Sequence, residues 1–184
     1  MRSPVDRVLT ASLLVAPVVY LIADVLYASR GWDDPTAAVF HVLGAIGYAL
    51  VLLSLVAWAD GVPAAVLLVV GVLGAAGNVA YGFNTIHVSL GDTDLVDAAG
   101  AAVLIKPLGL YFPLTLLLAA FVLRRTQPAW VVAALAVAGA AWPVAHIANI
   151  GWLAVLVNAA LVVVFARMAM RPAAADERAE LVAS

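Results

Sequence analysis

Residues 98–123 read AAGAAVLIKPLGLYFPLTLLLAAFVL, an apolar run of 26 residues that contains one charged side chain, Lys106. About 20 apolar residues in a helix cross the hydrocarbon core of a bilayer, so this run predicts a transmembrane helix. Lys106 is the only lysine in the chain, and it would lie about 12 Å along that helix. Because a charge inside a membrane is costly unless it is paired or hydrated, we expect Lys106 to be functional.

The composition of the whole chain agrees with a membrane protein. Of 184 residues, 66% are apolar and 11% are charged, and the mean hydropathy is +1.12. These values exclude a soluble enzyme and a nucleic-acid-binding protein. Cysteine is absent, which excludes disulfides, iron–sulfur clusters and thiolate ligands or nucleophiles.

Six apolar stretches are long enough to span a bilayer, and Gly and Pro residues separate them. The fold class expected is therefore all-α: a polytopic membrane protein with a six-transmembrane-helix bundle over residues 1–171 and a cytoplasmic tail over residues 172–184. The predicted spans are Arg7–Ser29, Thr36–Trp58, Pro63–Leu90, Ala98–Leu123, Ala129–Ile147 and Gly151–Met170.

The charges differ between the two sides of the predicted bundle. The side that holds both termini carries Arg2, Arg7, Arg124, Arg125, Arg167, Arg171 and Arg178, whereas Arg30 alone lies on the other side. The positive-inside rule then predicts a cell-membrane protein with both termini in the cytoplasm. The outer side is acidic, with Asp33, Asp34, Asp92, Asp94 and Asp97, and would concentrate cations.

A shift of 65 positions aligns Pro63–Asn84 with Pro128–Asn149 at ten identities in 22 residues. The same shift sets His41 against Lys106, so helices two and three would repeat as helices four and five. Both hairpins enter from the same side. The hypothesis is therefore a parallel repeat of two hairpins about a pseudo-two-fold axis along the membrane normal.

Five ionisable side chains fall within the first five predicted spans, one on each. All five lie within about 12 Å of the outer ends of their helices, which predicts a polar pocket open toward the outside. These candidate catalytic residues are Asp24, His41, His87, Lys106 and His146. The alternative for Asp24 and Lys106 is a structural salt bridge between the first and fourth helices. Pro107, next to Lys106, is expected to kink its helix there.

Aromatic and amide side chains accompany these groups at helical spacing, as in the Tyr20, Asp24, Tyr27 stripe. An interfacial aromatic belt would produce a similar pattern. The candidate ligand-binding residues are Tyr20, Tyr27, Tyr48, Tyr81, Asn84, Trp142 and Asn149, and no residue is assigned to a metal.

Several functions are consistent with such a pocket. The first hypothesis is the binding or transport of a small polar or amphipathic molecule, in which Lys106 holds an anionic group or Asp24 a cationic one. The second is a membrane-embedded acid–base enzyme of the isomerase, cyclase or hydrolase type that acts on a lipid or prenyl substrate. A third is a haem or metal redox protein that uses His41, His87 and His146, and a retinal pigment on Lys106 is a fourth. Membrane lipid, a small-molecule or lipid ligand and a second copy of the chain are the expected partners, and nucleic acid is not. The sequence names no cofactor.

Overall fold

The computed structural model describes residues 3–96 and 98–170, apart from the side chains at positions 101 and 102. Arg2, Asp97, Arg171, Arg178 and the predicted tail at 172–184 lie outside the described residues. Within them the protein is all-helical, and six helices are long and apolar enough to cross a membrane, which confirms the predicted six-helix bundle. The helices are α1 (Pro4–Arg30), α2 (Pro35–Val56), α3 (Gly61–Ser89), α4 (Ile105–Leu123), α5 (Ala129–Ile147) and α6 (Gly151–Ala169).

Local sequence signals account for several helix ends. Ser3 caps α1 by accepting from the backbone N–H of Asp6, whose carboxylate accepts in return from Ser3. The carboxylate of Asp34 caps α2 by accepting from the backbone N–H of Ala37 at 2.7 Å. After α5, Asn149 adopts a left-handed conformation with φ 55°, and Ile150 N–H donates to the Ala145 carbonyl at 2.7 Å. This C-cap turns the chain directly into α6.

The fourth helix begins later than the sequence predicted. A 3₁₀ segment at Gly100–Leu104 precedes α4, which starts at Ile105 instead of residue 98. Lys106 is therefore the second residue of α4 and its side chain is exposed, so the predicted depth of 12 Å was wrong. The predicted kink at Pro107 was wrong for the same reason, because proline in a first turn lacks only an N–H that has no helical partner anyway.

The six helices form a closed ring. Each helix packs against its neighbours in sequence, and α6 closes the ring against α1. The hairpin α2–α3 therefore lies beside α4–α5 in the ring. The predicted two-fold axis does not fit this order. It would exchange α2 with α4 and α3 with α5, so the packing of α3 on α4 would require α2 to pack on α5, and these two helices are not a packed pair. The repeat in the sequence itself stays a prediction.

Glycine allows some of these helices to approach closely. A Cβ atom at Gly77 would overlap the backbone of Leu108 on α4, and one at Gly74 would overlap the backbone of Phe112. The backbones of α3 and α4 consequently touch, as small residues permit in membrane bundles.

We call the end of the bundle formed by the connections at 31–34, 90–104 and 148–150 the Trp32 end, and the opposite end the Arg124 end. Large apolar side chains such as Val137, Leu156 and Val163 lie exposed on the outside of the ring, as expected of a surface that faces lipid. The ring interior instead contains aromatic and polar side chains.

Candidate functional site

Asp24 lies at the centre of the polar interior. It belongs to α1, six residues before its end at Arg30 and hence about 9 Å below the Trp32 end, and none of its surface is exposed. Its Oδ1 atom is 3.3 Å from Nε2 of His146 on α5. Its Oδ2 atom accepts from the Asn158 amide of α6 at 2.5 Å. The carboxylate therefore ties three helices together.

The partners of His146 define where protons must lie. Its Nδ1 atom is 3.0 Å from the carbonyl oxygen of Trp142, which can only accept. A neutral imidazole has one N–H, and if that donates to Trp142 the bare Nε2 would face an Asp24 carboxylate oxygen. The lone pairs of these two atoms would repel each other. A second proton between Nε2 and Oδ1 removes this repulsion. The geometry therefore fits an Asp24–His146 pair that together holds one extra proton, as an ion pair or as acid and imidazole.

A second hydrogen-bonded network lies beside this pair and connects α1, α2 and α3. The Asn78 amide donates to the Gly74 carbonyl at 3.0 Å, which directs its oxygen toward Tyr20. The Tyr20 hydroxyl donates to that oxygen at 2.8 Å and lies 3.1 Å from Nε2 of His41. Because Tyr20 donates its only hydroxyl proton to Asn78, the hydrogen bond between Tyr20 and His41 requires a proton on Nε2 of His41. The Nδ1 atom of a neutral His41 is then a bare acceptor.

Asn158 extends the Asp24 network toward the middle of the membrane. Its side-chain oxygen accepts from the Tyr48 hydroxyl at 3.4 Å, a long bond. Tyr48 in turn lines a narrow apolar crevice inside the ring, which has room for about one water-sized group. The other lining residues are Val51, Leu52, Leu55, Gly71, Ala75, Phe112, Thr115, Leu116 and Phe165.

Aromatic rings surround His146 and cover it at the Trp32 end. Trp142 stacks on the imidazole with ring centroids 4.0 Å apart. The edge of the Trp32 indole lies against it at 5.7 Å, and its face stacks on Tyr27 at 5.1 Å. Trp32 is fixed there because its Nε1 donates to the carbonyl oxygen of Asn149 at 3.1 Å. It forms a cover over the site.

Three polar atoms in this cluster are buried and have no hydrogen-bond partner among the described residues. They are the Tyr27 hydroxyl, Nδ1 of His41 and Nε1 of Trp142. The Tyr27 hydroxyl lies near the Thr85 side chain, but no hydrogen bond of normal geometry joins the two. An unsatisfied buried polar group costs about 1–3 kcal/mol, so native proteins rarely retain one without a function or a bound molecule. The cluster thus has one free acceptor, one free donor, and a hydroxyl that can act as either.

The structure brings together some of the predicted site residues. Asp24, His41 and His146 lie in one cluster with Tyr20, Tyr27, Tyr48 and Trp142, and the ring of Tyr81 lies 6.0 Å from that of His41. The functional roles assigned to these residues stay predictions.

Four of the predicted residues lie elsewhere. Lys106 is exposed at the start of α4, and the Asp24 carboxylate is bonded to His146 and Asn158, so the predicted Asp24–Lys106 pair was wrong. His87 lies at the surface, with its Nδ1 3.3 Å from Asp92.

The two asparagines have structural positions. Asn84 binds the connection between α3 and α4, because its amide donates to Asp94 at 2.9 Å and its oxygen accepts from the Leu95 N–H at 2.7 Å. Asn149 is exposed and follows Ala148, the C-cap of α5, in a left-handed conformation. Neither position contributes a side chain to the cluster.

Sequence reasoning missed Asn158, Asn78 as a site residue, and Trp32. Asn158 carried a signal, because it is the only polar residue between Gly151 and Phe165 apart from Trp152, and an uncharged amide inside a span normally has a partner. Trp32 gave no signal beyond its position in a turn.

The histidines do not form a ligand set. No group of three or more His, Asp or Glu side chains that could hold a metal ion occurs within 3–96 and 98–170. His41 and His146 are separated by the Tyr20 ring, which lies 4.7 Å from one and 6.4 Å from the other.

Comparison with protein families, curated proteins and solved structures gives no match for this chain. The site must therefore be interpreted from its own geometry.

Proposed function

We propose that this multi-pass membrane protein binds and transports a small polar or amphipathic molecule at the cluster around Asp24. One observation carries the proposal: the Tyr27 hydroxyl, Nδ1 of His41 and Nε1 of Trp142 are buried without partners in a single cluster. A purely structural network would be expected to satisfy its buried groups. A bound molecule with polar atoms would satisfy all three.

The position of the cluster supports access from one side. It lies in the half of the bundle nearer the Trp32 end, beneath an indole that belongs to a short connection and not to a helix. We propose that this end faces outward in the cell membrane and that both termini are cytoplasmic, because the arginines concentrate at the Arg124 end.

The crevice supports passage beyond the cluster. Asn158 connects Asp24 to Tyr48, and Tyr48 lines a crevice that continues to Leu55, near the Arg124 end of α2. Phe112 and Phe165 flank it. Movement of these rings would open a route along the ring axis, and dimerisation of the chain is compatible with a transporter of this size.

The test is native mass spectrometry of the protein in lipid nanodiscs, with Trp142→Phe as the variant. This substitution keeps an aromatic ring but removes the buried Nε1 donor. We expect a small molecule bound to the wild type to be reduced or lost in the variant. Trp130→Phe is the matched control, because Trp130 is 47% exposed near the Arg124 end of α5. Identical bound species in all three proteins would overturn the proposal.

The Asp24–His146 pair favours a second candidate, a membrane-embedded acid–base enzyme that acts on a lipid or prenyl substrate. A carboxyl and an imidazole that share a proton can donate and accept it during catalysis, and the crevice beside Tyr48 has a mostly apolar lining, as a lipid chain would require if the crevice widened. Incubation of the protein with membrane lipid extract, followed by lipid mass spectrometry, tests this. A product formed by the wild type and not by Asp24→Asn would favour the enzyme over the transporter.

A further inference from the structure

We propose that the ligand of this site is a small organic cation, a protonated amine, which replaces one proton on the Asp24–His146 pair when it binds. This inference rests on the proposed binding function and adds the substrate class and the coupling to protons.

Charge balance is the first step. Asp24 is the only buried carboxylate among the described residues, and no arginine or lysine side chain is buried with it. A carboxylate in a low-dielectric interior must be neutralised, since an uncompensated buried charge is very costly. Before a ligand binds, the extra proton shared by the Asp24–His146 pair does this. An ammonium group at Asp24 would do the same, so exchange of one for the other keeps the site neutral.

The same balance excludes an anionic ligand. An anion would add negative charge beside a fully buried carboxylate, and Lys106 is exposed at the start of α4 and not in the cluster. The predicted anion-binding role of Lys106 therefore has no support from its position.

Hydrogen-bonding capacity is the second step. Nδ1 of His41 has no partner and, with Nε2–H donated to Tyr20, offers only a lone pair. The Tyr27 hydroxyl oxygen is a further acceptor. An ammonium group has three N–H donors, so it can bind Asp24 and acceptors of this kind at once. A hydroxyl or ether oxygen elsewhere in the ligand would satisfy the Trp142 N–H.

The aromatic surroundings are the third step. Tyr20 and Tyr27 flank Asp24 on the same face of α1, and both are buried. Trp32 and Trp142 pack around His146. Aromatic faces attract cations, and the attraction is worth about 2 kcal/mol or more where water is excluded. A carboxylate within such rings is a binding environment for an organic ammonium.

The proton balance of the exchange is simple. Before binding, the Asp24–His146 pair holds one extra proton between Oδ1 and Nε2. When the ammonium binds the Asp24 carboxylate, the pair releases this proton to water, and Nδ1–H of His146 continues to donate to the Trp142 carbonyl. One cation enters and one proton leaves. No covalent bond other than N–H changes.

Other titratable groups also face the pair. They are Tyr20 and Tyr27 from α1 and His41 and Tyr48 from α2. Tyr81 of α3 lies next to the His41 ring. The neutral Asn158 of α6 and Phe112 of α4 are also close but do not titrate. Tyrosines stay neutral near pH 7.

The experiment uses three probes of similar size and different charge: 2-phenylethylammonium, 2-phenylethanol and phenylacetate. Each is added to the full-length protein in nanodiscs, and binding is followed by thermal unfolding and tryptophan fluorescence. Proton release is measured with a pH indicator in weak buffer. We expect only the amine to bind, with release of about one proton per amine and an affinity that rises about tenfold per pH unit while the pair is protonated.

Asp24→Asn should abolish amine binding and proton release, and Asp33→Asn, on the exposed connection at the Trp32 end, should leave both unchanged. If Asp24→Asn does not fold, His146→Gln serves instead. It should still bind the amine but shift the pH dependence of binding, which a purely structural role of His146 would not do.

The outcomes separate the two proposals. Binding of the alcohol or of phenylacetate without the amine would overturn the cation class and leave the proposed binding function standing. The proposed exchange would be overturned if the amine bound without proton release. It would also be overturned if amine binding were unchanged in Asp24→Asn. If none of the probes binds, and native mass spectrometry also shows no bound molecule that is reduced or lost in Trp142→Phe, both proposals are overturned.

Discussion

His146 Nε2 lies 3.3 Å from Asp24 Oδ1, although the two residues are 122 positions apart in the chain. The contact joins the first and fifth helices, and Asn158 of the sixth completes it on the other carboxylate oxygen. Since α6 is the helix that closes the ring against α1, the buried carboxylate lies where ring closure brings these helices together. Its role in stability can be tested separately from its proposed role in binding.

Asp24→Ala should destabilise the protein strongly. The substitution leaves the charged His146 and the Asn158 amide buried without an acceptor, and removal of one partner of a buried pair costs about 3–5 kcal/mol. Asp24→Asn retains the shape and one acceptor, so its cost should be about 1 kcal/mol. Unfolding by denaturing detergent measures both. Both variants remove the negative charge, so equal losses would mean that this charge accounts for the whole cost and that the shape and the acceptor retained by Asn contribute nothing.

Tyr20 and Asn78 should be energetically coupled. Their hydrogen bond of 2.8 Å is buried inside the ring, and neighbours in one network show interaction energies of about 0.5–3 kcal/mol. A double-mutant cycle with Tyr20→Phe and Asn78→Ala should give a coupling of about 1 kcal/mol in unfolding free energy. Tyr111→Phe combined with Asn78→Ala is the control cycle, and equal coupling in the two cycles would contradict the assignment.

Gly77→Ala should separate α3 from α4. The added methyl would overlap the Leu108 backbone, which cannot rotate away, and overpacking of this kind costs about 1–3 kcal/mol. Gly109→Ala is a matched control on the facing helix, because no other atom lies within 4 Å of the place that its added methyl would take, and alanine favours a helix interior by about 1 kcal/mol. Thermal unfolding should shift down for the first variant and stay level or rise for the second.

Trp32→Ala should expose the site at the Trp32 end. It removes the hydrogen bond to the Asn149 carbonyl and the ring that covers Tyr27 and His146. We expect amide hydrogen exchange of the α5–α6 turn, residues 145–151, to accelerate at least several-fold as local opening becomes easier. Trp152→Ala, at a ring that is 64% exposed on the outside of the bundle, should leave exchange there unchanged. Unaltered exchange in Trp32→Ala would show that the indole does not cover the site.

The accuracy of the sequence-based predictions followed the kind of information that each one used. Five spans were located closely, because an apolar run long enough to cross a bilayer is a local property of the chain. The start of α4 was misplaced by seven residues because 98–104 are as apolar as a helix, and hydropathy does not separate a 3₁₀ segment from the helix it precedes. That error placed Lys106 inside the membrane and suggested the wrong partner for Asp24.

The sequence by itself determined that this is a multi-pass, six-helix membrane protein with ionisable groups near one end of its helices, because hydropathy and spacing are read residue by residue. Only the tertiary structure decided that Asp24 binds His146 and Asn158, that Lys106 lies apart from them, and that three buried polar atoms lack partners among the described residues. Helical spacing fixes which residues share a face of one helix. The order and rotation of the helices in the ring decide which faces meet, and they depend on packing between residues far apart in the chain, such as Gly77 against Leu108.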